Sequence, residues 1–462
     1  MLRSPLDQDS SLVSISIPLS KRWRPSQFNA RSKTADHSIL LWNTLTGSFS
    51  VIPPNLTLRA EHLLSQKGVS GDLDSLGLYL LRRGYLVPSR EEELNSTLLR
   101  LYTEHFRDDV LELILLASED CNFRCRYCYE DFPRGTMSAE VCQAVILHVK
   151  AKLPRLRHLS ISWFGGEPLY GWAAIDVLAP ALHALANDNG LTFASSMTTN
   201  GYLLTPDKFE FLVRYGMRKF QITIDGLEDQ HDVSRPGREG APTWRVIMDN
   251  LIAMHHSEQE FLVNLRLNVD LANQPFLRPY IDYLRETFEG DHRFVLNTMN
   301  VGQWGGDGDH LLEVQSRSEA ARTRDDVEMY AQQCGVPHGT ILDGNRVGSG
   351  VCYAARPYSF IVGADGKLMK CTVALGKEES NIVGQLMPDG EAHIEAARLK
   401  KWVEPSFAHD LGCQSCHMLP SCQGLSCPLI RHHSGERPCE ATPKFTLQSA
   451  LRRAYSQRML RS

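Results

Sequence analysis

Several things are scarce in this 462-residue chain, and each absence removes a class of function. No apolar run approaches the roughly 18 residues that cross a bilayer, so no membrane partner is expected. Lysine and arginine number 49 against 54 acidic residues, a formal charge of −5. Binders of phosphate backbones usually carry a basic excess, so no nucleic-acid partner is expected. Residues 1–20 contain Asp7 and Asp9 and lack a continuous apolar stretch, which argues against a secretory signal and for a cytoplasmic location. The loop Gly302-Gln303-Trp304-Gly305-Gly306-Asp307-Gly308-Asp309 is rich in glycine. It has neither the Gly-Lys-Ser/Thr of a phosphate loop nor the strand–turn–helix context of a dinucleotide site, so it reads as a linker. What remains is a globular protein of ordinary apolar content, 42%, long enough for two or three domains.

Cysteine is the residue in excess, with twelve. In a reducing compartment clustered cysteines are metal ligands sooner than disulfides. Three fall at CxxxCxxC spacing, Cys121, Cys125 and Cys128, just after the apolar run Leu111 to Ala117, which reads as a buried strand. Thiolates are the soft ligands of iron–sulfur clusters, and four irons usually take four of them. Three cysteines leave one iron open to a small molecule, as an open position separates catalytic from structural zinc. Half of a zinc site is the alternative, though that prefers paired CxxC knuckles and a fourth ligand nearby.

In chain order, residues 1–36 read as a flexible, polar arm. A hairpin follows, Ile39 to Trp42 against Ser48 to Ile52, then helices near 57–66 and 73–83 closed by Gly68 and Gly84, a short strand from Tyr85 to Val87, and a capping box at Ser89 that opens a third helix. Between 110 and 301, apolar runs at 111–117, 158–164, 191–197, 219–224, 261–269 and 293–301 alternate with amphipathic stretches at 138–152, 171–188, 206–215, 243–256 and 275–289. Six β-α repeats make a parallel sheet, and strands buried on both faces read as continuous apolar runs. Sites on such sheets lie at the C-terminal strand ends. The polar loops fall there: the cysteines after the first strand, Gly165-Gly166-Glu167-Pro168 after the second, Thr198-Thr199-Asn200-Gly201 after the third, and Thr223-Ile224-Asp225-Gly226 with His231, Asp232 and Arg235 after the fourth.

At these residues the chain resembles the radical S-adenosylmethionine (SAM) superfamily, whose signature is CxxxCxφC with an aromatic φ, here Tyr127. The resemblance implies an α/β fold, a partial (β/α)6 TIM-like barrel, in which Cys121, Cys125 and Cys128 hold a [4Fe-4S] cluster. The open iron would chelate the amino and carboxylate groups of SAM, and an electron from the cluster would split SAM to a 5′-deoxyadenosyl radical. Gly165, Gly166 and Glu167 match the family's GGEP motif, with Glu167 accepting from the SAM ammonium. Arg235 would pair with its carboxylate, and Thr199 and Asn200 would approach its amino-acid or ribose portion.

The C-terminal third has a second pattern. Cys352 is followed by Gly366 and Cys371, then by Cys413-x2-Cys416-x5-Cys422-x4-Cys427 and finally Cys439. This resembles the SPASM module, a seven-cysteine appendix carrying auxiliary [4Fe-4S] clusters, with one residue more than usual before Cys427. Asp365-Gly366 is a hairpin signal. Cys413-x2-Cys416 with His417, His432 and His433 also suits structural zinc. Two fully ligated clusters need eight thiolates and the pattern supplies seven; Cys334 lies where relatives place an extra ligand, which assigns Cys334, Cys352, Cys371 and Cys427 to one cluster and Cys413, Cys416, Cys422 and Cys439 to the other. Cys142, alone on a helix, reads as core.

The implied domains are an arm (1–36), a winged-helix-like peptide-recognition domain (37–108), the radical SAM core (109–305), a linker helix (306–333), the SPASM domain (334–442) and a C-terminal helix and tail (443–462). Enzymes with this core and appendix mostly modify peptides or proteins, which implies a maturase of a ribosomally made peptide, served by an electron donor such as flavodoxin or ferredoxin. A formylglycine-generating sulfatase maturase is the alternative within the family; there an Asp base follows the hairpin's second cysteine, whereas Thr372 follows Cys371 here. The rival of another class is a zinc-containing binding protein.

Overall fold

A computed structural model describes residues 22–131, 134–306, 308–339, 351–375, 379–437 and 439. Six strands lie in the N-terminal part: β1 (Arg22–Pro25), β2 (Asn29–Lys33), β3 (Ile39–Asn43), β4 (Phe49–Ile52), β5 (Val69–Ser70) and β6 (Leu86–Val87). The arm expected over 1–36 is therefore strand from Arg22 onward, and the rest of it lies outside the described residues. The physical reason is burial: Phe28 is fully inside and Trp23 and Ala30 nearly so, which the scattered positive charges of this stretch conceal. β2 pairs with β3 and so covers one edge of the β3–β4 hairpin.

The core strands are β7 (Val110–Ser118), β8 (His158–Gly165), β9 (Thr192–Thr199), β10 (Met217–Thr223), β11 (Leu262–Val269) and β12 (Phe294–Asn300). They are all parallel and adjacent in strict sequence order, with the intervening helices Ala139–Lys152, Trp172–Asp188, Pro206–Arg214, Trp244–His255 and Leu277–Phe288 where the amphipathic stretches fall. β12 is an end of the sheet and does not pair with β7, so the barrel is partial. β7 carries the most buried run because it is sandwiched on both edges and both faces.

What covers the other edge of β7 is the C-terminal region. Strands β13 (Ser359–Val362), β14 (Lys367–Met369), β15 (Ile382–Leu386) and β16 (Ala392–Ile394) extend the same sheet to ten, with β13 parallel to β7 and the rest antiparallel. The hairpin expected at Asp365-Gly366 is β13–β14, and Gly366 turns it at φ +79°.

Three features differ from expectation. The helix Arg317–Cys334 is not a free linker, because Val327 and Ala331 are buried in the core cluster. Pro168–Asp188 is long and apolar enough to cross a membrane by length and composition, although no run of that length was expected; its Ile175, Leu178 and Leu182 pack into the barrel core. The N-terminal part also docks on the C-terminal region: Phe28 and Leu101 share one buried cluster with Phe407, Leu419 and Leu425, and Gln27 donates to the Gln414 carbonyl at 3.0 Å.

Candidate active site

The loop after β7 is held by backbone pairing on its far side. The amides of Arg124, Arg126 and Arg238 donate to the carbonyls of Pro236, Ser234 and Asn122 at 2.9–3.0 Å, so residues 122–126 run as a strand-like ribbon against 234–238. Arg238 adds a hydrogen bond to the Cys121 carbonyl at 3.0 Å and an ion pair with Asp120. On the near side the glycines of the next loop press against its stem. A Cβ on Gly165 would meet the Ser118 carbonyl oxygen at 2.1 Å and one on Gly166 the Asp120 oxygen at 2.6 Å. Gly165 also has φ +120°, open to glycine alone in practice.

Glu167 is fully buried, and both of its oxygens are used inside the protein. Oε1 accepts from the Thr199 hydroxyl at 2.7 Å and the Leu169 amide at 3.0 Å, and Oε2 from the Asn200 amide at 2.7 Å. The carboxylate ties the second strand's loop to the third's and does not line the cavity in which SAM is expected. Burial pushes its carboxyl up against the pull of those bonds. Asn200 reaches the other way, donating to Asn122 Oδ1 at 2.8 Å and lying 3.9 Å from Cys121 Sγ.

Tyr127 is a hub. Its hydroxyl donates to Asp225 Oδ2 at 2.5 Å and accepts from Arg235 Nη1 at 2.6 Å and Asn268 Nδ2 at 2.9 Å. Arg235 lies within cation–π range of the Phe123 and Tyr127 rings, and its buried Nε has no partner among the described residues. Burial works against the guanidinium charge, but Cys125, Tyr127 and Asp225 more than restore it. His231, fully buried, accepts the Asp225 amide on Nδ1 and is kept neutral by burial and by Arg235. It is a loop-positioning group.

Cys121, Cys125, Cys128, Tyr127, Gly165, Gly166, Thr199, Asn200 and Arg235 all line one cavity of about 390 Å³. The geometry thus gathers every expected core site residue except Glu167. It adds residues that the sequence did not point to, Arg266 and Asn268 on β11, Met299 at the end of β12, Val373 after β14, Glu130 and Trp304, together with Thr372, the residue that follows Cys371. Burial, with Glu119 and Asp131 behind it, pushes the Glu130 carboxyl up to about 8. Trp304 belongs to the loop read as a linker. That loop lies on the cysteines: a Cβ on Gly306 would meet the Cys128 carbonyl oxygen at 2.5 Å. The repeated glycines were the signal, since close approach of two backbones needs them.

Comparison with known proteins agrees with this arrangement. A profile described as the Radical SAM superfamily matches residues 115–265. Residues 115–265 thus carry a radical SAM domain, and the chain is similar over most of its length to enzymes that contain one. It is 24% identical over 345 residues to a serine-type anaerobic sulfatase-maturating enzyme of Klebsiella pneumoniae, covering 70% of this chain and 83% of that one. It is 25% identical over 398 residues to the radical SAM cyclopropyl synthase TigE of Paramaledivibacter caminithermalis, covering 76% of each. Among solved structures, native anSMEcpe with bound AdoMet and the Cp18Cys peptide superposes with a TM-score of 0.57 at 18% identity, over 76% of this chain and 98% of that one. That likeness is one of fold.

Radical SAM enzymes use a [4Fe-4S] cluster with SAM, and the cavity fits both. Three thiols stand in one buried pocket, where burial pushes Cys121 and Cys128 each up to about 12 and raises Cys125; Cys121 and Cys128 are raised further by neighbouring cysteines. Such thiols ionise only beside a strong cation such as iron. Among the described residues no three ligands converge on a point as a single ion requires, whereas a cubane takes one thiolate per corner. The Phe123 amide already points at Cys121 Sγ, 3.3 Å away. For SAM, the orphaned Arg235 Nε is a buried donor awaiting an anion.

In the cysteine-rich C-terminal region, Cys371 is within electrostatic reach of Cys352 and Cys427, and Cys413 of Cys422. Gly424 lets the backbone approach Cys413 Sγ, 2.8 Å from where a Cβ would stand. Cys416 accepts the Met418 amide at 3.4 Å, and Cys439 is exposed next to Arg437. Cys334 is the exception. It ends the helix Arg317–Cys334 with its sulfur 3.8 Å from Asp282 Oδ1, beside Tyr330, and its contacts are with the core's last helix. The contacts described for its sulfur are thus with Asp282 and Tyr330 rather than with Cys352, Cys371 or Cys427. Cys142 is buried in the core.

Proposed function

We propose that this chain is a radical SAM/SPASM maturase that abstracts hydrogen from a ribosomally made peptide and installs a crosslink or similar modification. The observation that carries this reading is the meeting of two regions in one cavity. The cysteine loop forms one wall, and Thr372 and Val373, immediately after the auxiliary cysteine Cys371, form part of the other. Cys121, Cys125 and Cys128 would hold the SAM-cleaving cluster, Arg235 the SAM carboxylate, and Asn200 the cysteine loop in place. Cys352, Cys371, Cys413, Cys416, Cys422, Cys427 and Cys439 would hold auxiliary clusters. The bound cofactors supply a 5′-deoxyadenosyl radical; the protein supplies orientation, a pocket shielded from water, and hydrogen bonds to sulfur. An electron donor such as flavodoxin or ferredoxin would supply the electron, and the cytoplasm would be the compartment.

Sulfatase maturation is the second reading, favoured by the Klebsiella pneumoniae relative. Against it, the residue after Cys371 is Thr372, whose hydroxyl is bound to Tyr353 at 2.7 Å and offers no carboxylate base. Anaerobic reconstitution with iron and sulfide, followed by dithionite and SAM, tests the class through 5′-deoxyadenosine. Co-expression with a short peptide encoded beside this gene, read by mass spectrometry, tests the substrate. A mass change in that peptide supports the maturase reading, and conversion of a sulfatase cysteine or serine to formylglycine instead would replace it.

A further inference from the structure

Among the described residues, none fills the lumen of the partial barrel below the catalytic cavity. Closed parallel barrels pack their interior with layers of Val, Ile and Leu side chains. Here the inward positions include Ser162 and Ser196, whose hydroxyls meet at 3.0 Å, then Thr198, Gln221, Asn264 and Asn297. Ser196, Thr198, Gln221, Asn264 and Asn297 line a space of about 620 Å³. Thr198, Gln221 and Met299 line both this space and the 390 Å³ catalytic cavity, so the two are neighbours across three shared side chains.

The charged groups around this route are mostly of one sign. Lys219 on β10 and Arg324 on the helix Arg317–Cys334 line the lower space together with one acid, Glu328. Neither cation forms an ion pair among the described residues. Arg266, on β11 between Asn264 below and Asn268 above, lines the catalytic cavity. Its Nε donates to Asn268 Oδ1 at 2.8 Å, and Asn268 in turn donates to the Tyr127 hydroxyl. The two terminal guanidinium nitrogens have no partner among the described residues, so a fixed, forked donor faces the reaction chamber.

We propose that this lumen is a channel for an extended, acidic stretch of the substrate peptide, and that Arg266 reads a carboxylate side chain next to the residue under attack. The inference rests on the peptide-maturase reading above and names its substrate class. Amides and hydroxyls along the wall suit a peptide backbone of any sequence. From Leu262 to Asn268 the β11 wall covers six residue steps, about 20 Å at strand rise, the length of a similar stretch of extended chain. The cations supply the selectivity. Since the whole chain is acidic at −5, non-specific attraction would favour basic peptides, and a preference for acidic ones needs a local cause.

The test is fluorescence anisotropy of labelled (Gly-Glu)6, (Gly-Gln)6 and (Gly-Lys)6 peptides with the anaerobically reconstituted holoenzyme. The Glu peptide should bind about tenfold tighter than the Gln peptide, and R266M and the double variant K219M/R324M should each remove most of that difference. R266K should recover part of it, which a merely structural Arg266 would not require; the double variant changes partly exposed positions and guards against misfolding at Arg266. Equal binding of the Glu and Gln peptides, or a Glu preference that survives both variants, overturns the channel. If the enzyme nevertheless modifies a peptide, the maturase reading stands without it; if SAM is cleaved but no peptide of any charge is bound or modified, both fall.

Discussion

Two cysteine-bearing regions of this molecule are built differently. Cys121, Cys125 and Cys128 sit in a loop paired along 234–238, pressed by Gly165 and Gly166 and overlaid by Gly306. Cys413, Cys416, Cys422 and Cys427 sit in or beside the short helices Leu411–Gln414, Leu419–Cys422 and Pro428–Ser434. Helices of four to seven residues do not hold themselves together in water. The first loop is shaped by the sheet beneath it, so a cluster with an incomplete ligand set can be held there and still offer an open iron. The second region is anchored through Phe407, Leu419 and Leu425 on the N-terminal part, but no sheet shapes its cysteine loops and these draw on their ligands, as small metal domains do.

The comparison breaks most visibly if the cysteines are exchanged for alanine. The triple variant C121A/C125A/C128A should form no 5′-deoxyadenosine with dithionite and SAM while auxiliary iron persists by metal analysis; product at the wild-type level would end the assignment. The next largest effect is on folding. Iron-stripped protein should be cut by a protease within 404–437 while the barrel, residues 110–300, survives as a resistant fragment. Equal resistance of both regions would show that the C-terminal part needs no metal to fold.

Smaller changes sharpen the account of the catalytic loop. Gly306→Ala places a methyl against the Cys128 carbonyl, and SAM cleavage should fall by about tenfold or more, as small misplacements in active sites do. Its iron content should stay near wild type. An unchanged rate would mean that the loop carrying Trp304 can lift away freely. Glu167→Gln leaves one of the Asn200, Leu169 or Thr199 donors without an acceptor and should cost about 1–3 kcal/mol, read by thermal unfolding.

The smallest effect concerns the bottom of the barrel. Burial works against the Asp291 charge, but hydrogen bonds from Arg293 and His255 outweigh it and lower its carboxyl to about 2. A group depressed in the folded state stabilises above its unfolded value, near 4, and that contribution is lost as pH falls toward 2. The melting-temperature gap between wild type and Asp291→Asn should therefore be full at pH 5, clearly narrowed at pH 2.5 and closed only below pH 2. A gap that does not narrow would assign the effect to packing.

The six strands and five connecting helices of the core were legible from periodicity alone, because buried parallel strands must be apolar throughout and their helices amphipathic. The cysteine spacings were legible for a related reason: ligands close in sequence are held close in space whatever surrounds them. Other features depended on residues far apart in the chain, and only the tertiary structure decided them. The pairing of β13 with β7, which joins the C-terminal hairpin to the barrel, leaves no local trace beyond a short apolar run. Glu167 reads as a ligand group in sequence, but a fully buried carboxylate must satisfy its oxygens where it lies, and the amides of Leu169 and Asn200 and the Thr199 hydroxyl were there. Cys334 reads as a spare thiolate by count, yet the helix that carries it packs on the core and turns its sulfur to Asp282. Spacing along the chain determined which chemistry this protein could hold, and the packing of distant segments decided which side chains were free to take part in it.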